Sequence, residues 1–225
     1  MTTDKPVKKL LDALNQKKAM GPVITRSLSE SVEIAKIWNT PVVEGQVNEI
    51  TKAYLIKEKG LYIGLATEII GDLYVYMVPE HRKQGKTSIA LTLTILPHLL
   101  QEKPIIRTTL SIAIMGSERN YKVAKKLADK VGFRALIENP SDCRMTMDAS
   151  SLKNREYIRG VYQKLSKESM VKMNSKILYT IAILEVIQSE LEYKCGFTAT
   201  SEALNDQIKE LNRFTVRLKY ASFVE

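Results

Sequence analysis

Residues 73–88, LYVYMVPEHRKQGKTS, change character halfway along, and that change sets the class of the fold. The first six alternate Tyr and Val with their neighbours, as a strand does. From about Gln84 the period lengthens. Ile89, Leu93, Leu96 and Leu100 recur at i, i+4, i+7 and i+11, the stripe of an amphipathic helix. Pro97 predicts a kink or an end there, because it brings no backbone donor. Between strand and helix lie Pro79, Arg82, Lys83, Gly85 and Lys86. A helix that starts in such a loop turns free N–H groups and the positive end of its dipole outward, which makes an anion site. Gly85 lets the backbone approach a phosphate closely, and the basic side chains surround it with positive charge.

Upstream, residues 53–57 and 61–70 read as β-runs joined by Glu58-Lys59-Gly60. Gly71-Asp72 marks a second hairpin leading into residues 73–78. Val7, Leu10, Leu11 and Leu14 predict a helix over residues 5–19, ended by Gly21-Pro22. Residues 23–26 predict a short strand, and Ser29 the N-cap of a helix reaching Trp38. Downstream, residues 105–113 read as a buried strand. Val123, Ala124, Leu127, Ala128 and Val131 mark a helix with Gly132 at its C-cap, and residues 133–137 and 144–147 close the sheet. Beyond Ser151 only helical stripes remain: Ile158, Val161, Tyr162 and Leu165; Ile177, Ile181, Leu184 and Leu191; and Leu204, Ile208, Leu211 and Phe214. The expected organisation is an N-terminal helix (1–20), a mixed α/β domain (21–150) and a helical C-terminal extension (151–225).

The chain of 225 residues is 44% hydrophobic, enough for a packed core. Its 34 Lys and Arg against 25 Asp and Glu give a net charge of +9, which suits an anionic partner such as coenzyme A, nucleic acid, an acidic protein or an anionic membrane surface. Two cysteines, Cys143 and Cys195, and two histidines, His81 and His98, fall at no metal-ligand spacing. Distant thiols fit a reducing cytoplasm. The apolar run 179–187 is far shorter than the roughly 20 residues of a membrane span. The expectation is a cytoplasmic protein without metal or membrane contact. Lys164, Lys167, Lys172 and Lys176 form a candidate basic face for nucleic acid, but no aromatic residues interleave with it as single-strand binding would require.

Two phosphate-binding patterns compete for the loop. Gly85-Lys86-Thr87 matches the end of a P-loop, yet Glu80 stands where that pattern needs glycine and would oppose a phosphate. The segment MVPEHRKQGKT, residues 77–87, resembles instead the pyrophosphate loop of the GNAT acyltransferase superfamily, V-x-P-x-x-[RQ]-x-x-G-x-[GA]. Met77, Pro79, Arg82 and Gly85 fall in register, with Thr87 in place of the last small residue. Residues 123–134, VAKKLADKVGFR, resemble the second conserved segment, with Ala124 and Gly132-Phe133 in register.

The resemblance covers residues 23–149 and implies a GNAT-like mixed, mostly antiparallel sheet flanked by helices. It implies a splay between the strand ending at Met77 and the strand 105–113. Acetyl-CoA would then be the cosubstrate, its pantetheine along Val75, Tyr76 and Met77 and its pyrophosphate over Lys83, Gln84, Gly85, Lys86, Thr87 and Ser88 beside Arg82. The activity implied is direct acetyl transfer to an amine: a small molecule, a peptide N-terminus, a lysine or an aminoacylated RNA. Acceptor choice would lie around residues 41–50 and in the C-terminal segment.

The family's usual tyrosine acid is replaced by Ala128. Tyr121 stands where the family often has a cofactor-contacting Asn, and a one-residue shift in the turn would bring Asn120 into that role. Tyr76, or Tyr74 on the same strand, then stands in as the candidate proton donor. Glu68 ranks ahead of Asp72 and Glu80 as the candidate base, because it ends a strand beside the expected acceptor cleft. His81 reads as a surface residue and His98 as a packing residue. The alternative reading is a catalytically degenerate domain acting as a scaffold through its C-terminal helices, which would dock a partner or build an oligomer; the bland reading is that they pack on the α/β domain or on a second copy.

Overall fold

The computed structural model describes residues 4–43, 49–152, 158, 160–161 and 165–221. Five strands run as an antiparallel meander: β1 (Val23–Ser29), β2 (Val32–Trp38), β3 (Ile50–Glu58), β4 (Leu61–Ile69) and β5 (Asp72–Met77). With β6 (Ile105–Ser111), β7 (Arg134–Glu138) and β8 (Asp142–Asp148) they form one open eight-stranded sheet, ordered β1-β2-β3-β4-β5-β6-β8-β7. Every neighbouring pair is antiparallel except β5 and β6, which are parallel and share one paired position, Asp72 with Arg107.

Helix α1 (Asp4–Asn15) covers one face of the meander. Its Leu11 is buried against Ala35, Ile37, Ala53, Leu55, Leu65 and Tyr76. The other face carries α2 (Lys86–Ala90), a π-helical turn (Leu91–Ile95) and α3 (Leu96–Glu102) in unbroken succession, with Ile95, Leu96 and Leu99 buried. After the short α4 (Ile112–Met115), α5 (Glu118–Val131) adds Tyr121, Ala128 and Val131 to the same layer. The helical run passes through Pro97 instead of ending there. The wider π turn before it relaxes the hydrogen-bond ladder where proline has no donor to give.

Burial on both faces explains one reversal. The predicted helix from Ser29 to Trp38 is strand β2. Val32 and Ile34 point to the α2–α3 layer, Ala35 and Ile37 to the α1 layer, so the two-residue period is hidden and mimics a helical stripe. β6 and β8 are covered on one face only, and there the alternation is clean. β6 also stops at Ser111, short of the expected Ala113, because the Ser111 hydroxyl accepts from the Ile114 amide at 3.1 Å and starts α4. Gly132 caps α5 with φ 113, where a Cβ would meet the Ser151 carbonyl at 2.9 Å.

The chain divides into two compact units, Met1–Tyr162 and Gln163–Glu225. The second contains α6 (Lys167–Cys195) and α7 (Ala199–Ala221), which pack on each other. Met170, Asn174, Ile177, Ile181, Leu184, Gln188 and Leu191, spaced in a four-three repeat, are among the less exposed positions of α6. α7 answers with Ser201, Leu204, Ile208, Leu211, Thr215 and Leu218. This is a coiled-coil seam. It continues through Thr215, so Phe214, expected on the stripe, is 47% exposed. At the first expected stripe the described residues Ile158, Val161 and Leu165 are in non-helical chain, and Tyr162 lies outside the described residues. Lys164 and residues 44–48 of the expected acceptor loop also lie outside them.

The β4–β5 turn carries a local conflict. Ile70 (φ 52) and Gly71 (φ 83) both adopt the left-handed conformation of a two-residue hairpin, and Ile70 is fully exposed. A β-branched residue pays for this conformation with a steric clash that Asn or Gly avoids. Ile70→Asn is expected to raise stability by about 1 kcal/mol, read as a higher urea midpoint at an unchanged slope.

Candidate functional site

Strand pairing decides which atoms of β5 are available. The Val78 amide donates to the Ile63 carbonyl at 3.0 Å. By the two-residue alternation Tyr76 and Tyr74 also direct their backbone groups to β4, opposite Leu65 and Thr67. Leu73, Val75 and Met77 therefore direct theirs to the other side, toward β6. There the Thr108 hydroxyl donates to the Leu73 carbonyl at 3.0 Å, and past that point no β6 residue pairs with β5 among those described. The strands fork, with Val75 and Met77 on the open edge. Tyr76, expected to offer its backbone here too, turns it away.

The loop after β5 sits at the mouth of this fork. Lys83 (φ 63) and Gly85 (φ 76) are both left-handed, and α2 starts directly after Gly85. Gly85 brings no side chain to cap the helix, so the first-turn amides of Lys86, Thr87 and Ser88 point outward. A Cβ at residue 85 would meet no atom within 4 Å. Arg82 folds back: its Nε donates to the Met77 carbonyl at 2.7 Å, and its guanidinium lies 5.6 Å from the Tyr76 ring and 3.7 Å from Asp4. Glu58, the last residue of β3, takes Lys86 Nζ at 2.5 Å and faces His81 Nδ1 at 3.2 Å. The hydrogen bond from Lys86 above all holds the Glu58 carboxyl below the usual range. Loop charge is thus partly neutralised before any ligand arrives, a pairing across 28 residues that no sequence signal announces.

A cleft of about 240 Å³ opens at the other end of β5, between the sheet and α3. Tyr54, Thr67, Glu68, Leu73 and Leu99 are among its lining residues. Glu68 is paired with Lys103. It lies opposite Leu73, four residues from Met77, hence about 13 Å along the strand from the loop. Beneath the cleft, Tyr54 Oη is 2.9 Å from His98 Nδ1, and Arg26 lies 3.4 Å from Nε2. Arginine only donates, so Nε2 accepts and Nδ1 carries the proton toward Tyr54. Burial pushes the Tyr54 phenol well above its ordinary pKa and the His98 imidazole below its own. His98 is a packing residue as expected, but one inside a polar network.

The remaining candidates separate. Tyr76 is buried in the α1 layer, and burial raises its phenol pKa. Tyr74 donates to Asp4 at 2.8 Å. Asn120 lies in the first turn of α5, at the same carboxyl end of the parallel pair as the loop. Its side chain donates to the Met115 carbonyl at 3.0 Å. Ala128 is buried core. Cys143 is buried, its thiol pushed up by desolvation, and Cys195 is exposed. Among the described residues no cluster of His, Cys, Asp or Glu forms a metal site, and no helix is long and apolar enough to cross a membrane.

No protein-family model matches the chain, and no curated protein or solved structure is significantly similar to it.

A depressed His98 pKa means the unfolded chain binds the proton more readily between the folded value and about 6.5. Stability is full above about pH 6.5 and falls as acid drives the imidazole to protonate. Melting temperature should therefore decline from about pH 7 to about pH 5.5. The same scan of His98→Gln should be flatter.

Proposed function

We propose that the Met1–Tyr162 unit binds an acyl-CoA at the β5–β6 fork and transfers the acyl group to an amine, the activity implied by the resemblance to the GNAT superfamily. One observation carries the reading. The parallel pair β5 and β6 parts after Asp72, and a helix start lacking a side-chain cap stands at the opening. An open strand edge leading to free amides suits a ligand with an extended amide-bearing arm and a diphosphate.

The residues present fit such a group. Val75 and Met77 would pair with the arm, and the amides of Lys86, Thr87 and Ser88 would meet the phosphates, with Lys83 and Gln84 in the same loop. Lys86 would exchange Glu58 for phosphate. When bound, acetyl-CoA would supply an activated thioester carbonyl. The chain's part is to hold the acceptor amine and take its proton. Glu68 is the carboxylate among the cleft's lining residues, and Lys103 keeps it in place.

A second reading draws on a different observation. Ala128 is buried core, and Tyr76 turns its ring into the opposite layer, so neither provides a proton donor at the fork. A domain that binds CoA without turnover would look the same.

Titration calorimetry with acetyl-CoA and with free CoA tests both. Wild type and Gly85→Ala should bind, because a Cβ there meets open space and costs only about 1 kcal/mol of backbone strain. Gly85→Glu should lose at least about tenfold in affinity by placing a carboxylate against the phosphates. Wild type that binds neither ligand would remove the proposal. Binding without transfer to amines of any of the four expected classes would favour the second reading. With an acceptor in hand, Glu68→Gln should cut turnover roughly a hundredfold and leave CoA affinity unchanged; unchanged turnover would take Glu68 out of the role.

A further inference from the structure

Helix α6 carries more apolar surface than α7 can cover. Besides the seam already described, a second row runs along it: Val171, Ser175, Leu178, Ala182, Val186, Ser189 and Tyr193. All seven are exposed, with Val171 at 59%, Val186 at 67% and Tyr193 at 93%. At 3.6 residues per turn this row lies roughly 120° around the helix from the α7 seam. A helix with two such seams belongs between two neighbours, not beside one.

The order of the row identifies the second neighbour. Its steps are four, three, four, four, three and four residues, the same read in either direction from Ala182. Val171 and Tyr193 are equidistant from Ala182, as are Ser175 and Ser189, and Leu178 and Val186. Such a row is complementary to itself reversed, which is what a two-fold interface demands. The small residues, Ala182 at the centre and a serine on either side, permit close approach.

Charge points the same way. Lys172 and Glu190 flank one edge of the row, ten residues before and eight after Ala182. In an antiparallel pair they would stand about 3 Å apart along the axis. Glu168 and Lys194 repeat the relation one turn further out. Each charge is now paired only within its own helix, Lys172 with Glu168 and Lys194 with Glu190, on largely exposed side chains. Antiparallel pairing sets Glu168 and Lys172 of one chain against Lys194 and Glu190 of the other, at both ends.

We propose that two copies of this chain associate through α6, antiparallel about a two-fold axis at Ala182, so that two α6–α7 hairpins form a four-helix bundle. Sedimentation equilibrium of the full chain, with Cys195→Ser as background, should give a dimer at micromolar concentration. Leu178→Glu, on the exposed row, should raise the dimer dissociation constant at least about a hundredfold, with helical circular dichroism unchanged. Lys172→Glu and Glu190→Lys should each weaken the dimer roughly threefold to tenfold. An equimolar mixture of these two variants should form heterodimers, since every facing pair is then of opposite sign. A monomeric wild type, a dimer indifferent to Leu178→Glu, or swapped variants that do not prefer each other would overturn the proposal. An Ala182→Cys chain that fails to cross-link to itself on oxidation would also exclude the antiparallel register.

Discussion

Backbone N–H and C=O groups need partners wherever water is displaced, and the structure turns on where β5 stops receiving them from β6. Asp72 and Arg107 pair, Thr108 closes the Leu73 carbonyl with its hydroxyl, and beyond that the two parallel strands separate. Separation leaves Val75 and Met77 facing a gap. The meander β1–β5 is covered on both faces, whereas β6 and β8 are buried on one. The parallel direction of β5 and β6 places the starts of α2 and α5, the helices that follow them, at one end of the sheet.

The net charge of +9 is not gathered at that opening. Arg82 is drawn back to the Met77 carbonyl, and Lys86 is held by Glu58. At the cleft by the far end of β5, Glu68 is matched by Lys103, and the lining residue Lys52 by Glu102. Local pairing of this kind keeps the loop and the cleft in shape at little net gain, since partly exposed ion pairs contribute about 0–1 kcal/mol. An incoming anion competes with a carboxylate for Lys86 and meets backbone amides without competition. Backbone geometry, set by left-handed Lys83 and Gly85, is therefore the more specific part of the site.

The helical unit follows a different logic. A hairpin of two helices has one seam, and α6 and α7 fill it with Ile177, Ile181, Leu184, Leu204, Ile208 and Leu211. α6 has no polar face to set against that seam. Its central stretch, 177–187, carries one charge, Glu185. Part of its surplus apolar surface, the row from Val171 to Tyr193, is arranged symmetrically about Ala182.

Local signals were enough to read much of this molecule from its sequence. The hairpins at Gly60 and Gly71 follow from glycines, which tolerate left-handed turns. α5 and its Gly132 cap follow from a helical stripe ended by glycine. The change of period at residues 73–88 places a strand, a loop and a helix in order. β2 was hidden because burial on both faces removes the alternation that marks a strand. The non-helical path of Ile158 and Val161 was hidden because Ile158 packs on the core of the α/β unit and Val161 bonds to the Ser27 carbonyl, partners far away in the chain. The same distance concealed the Glu58–Lys86 clamp, the Arg26–His98–Tyr54 network and the outward choice of Val75 and Met77 over Tyr76. Residue type and spacing determine local conformation, since its energetics involve near neighbours. Which charge is neutralised, which strand edge stays open and which face of a helix is left uncovered depend on partners brought together only by folding, and tertiary structure alone decides them.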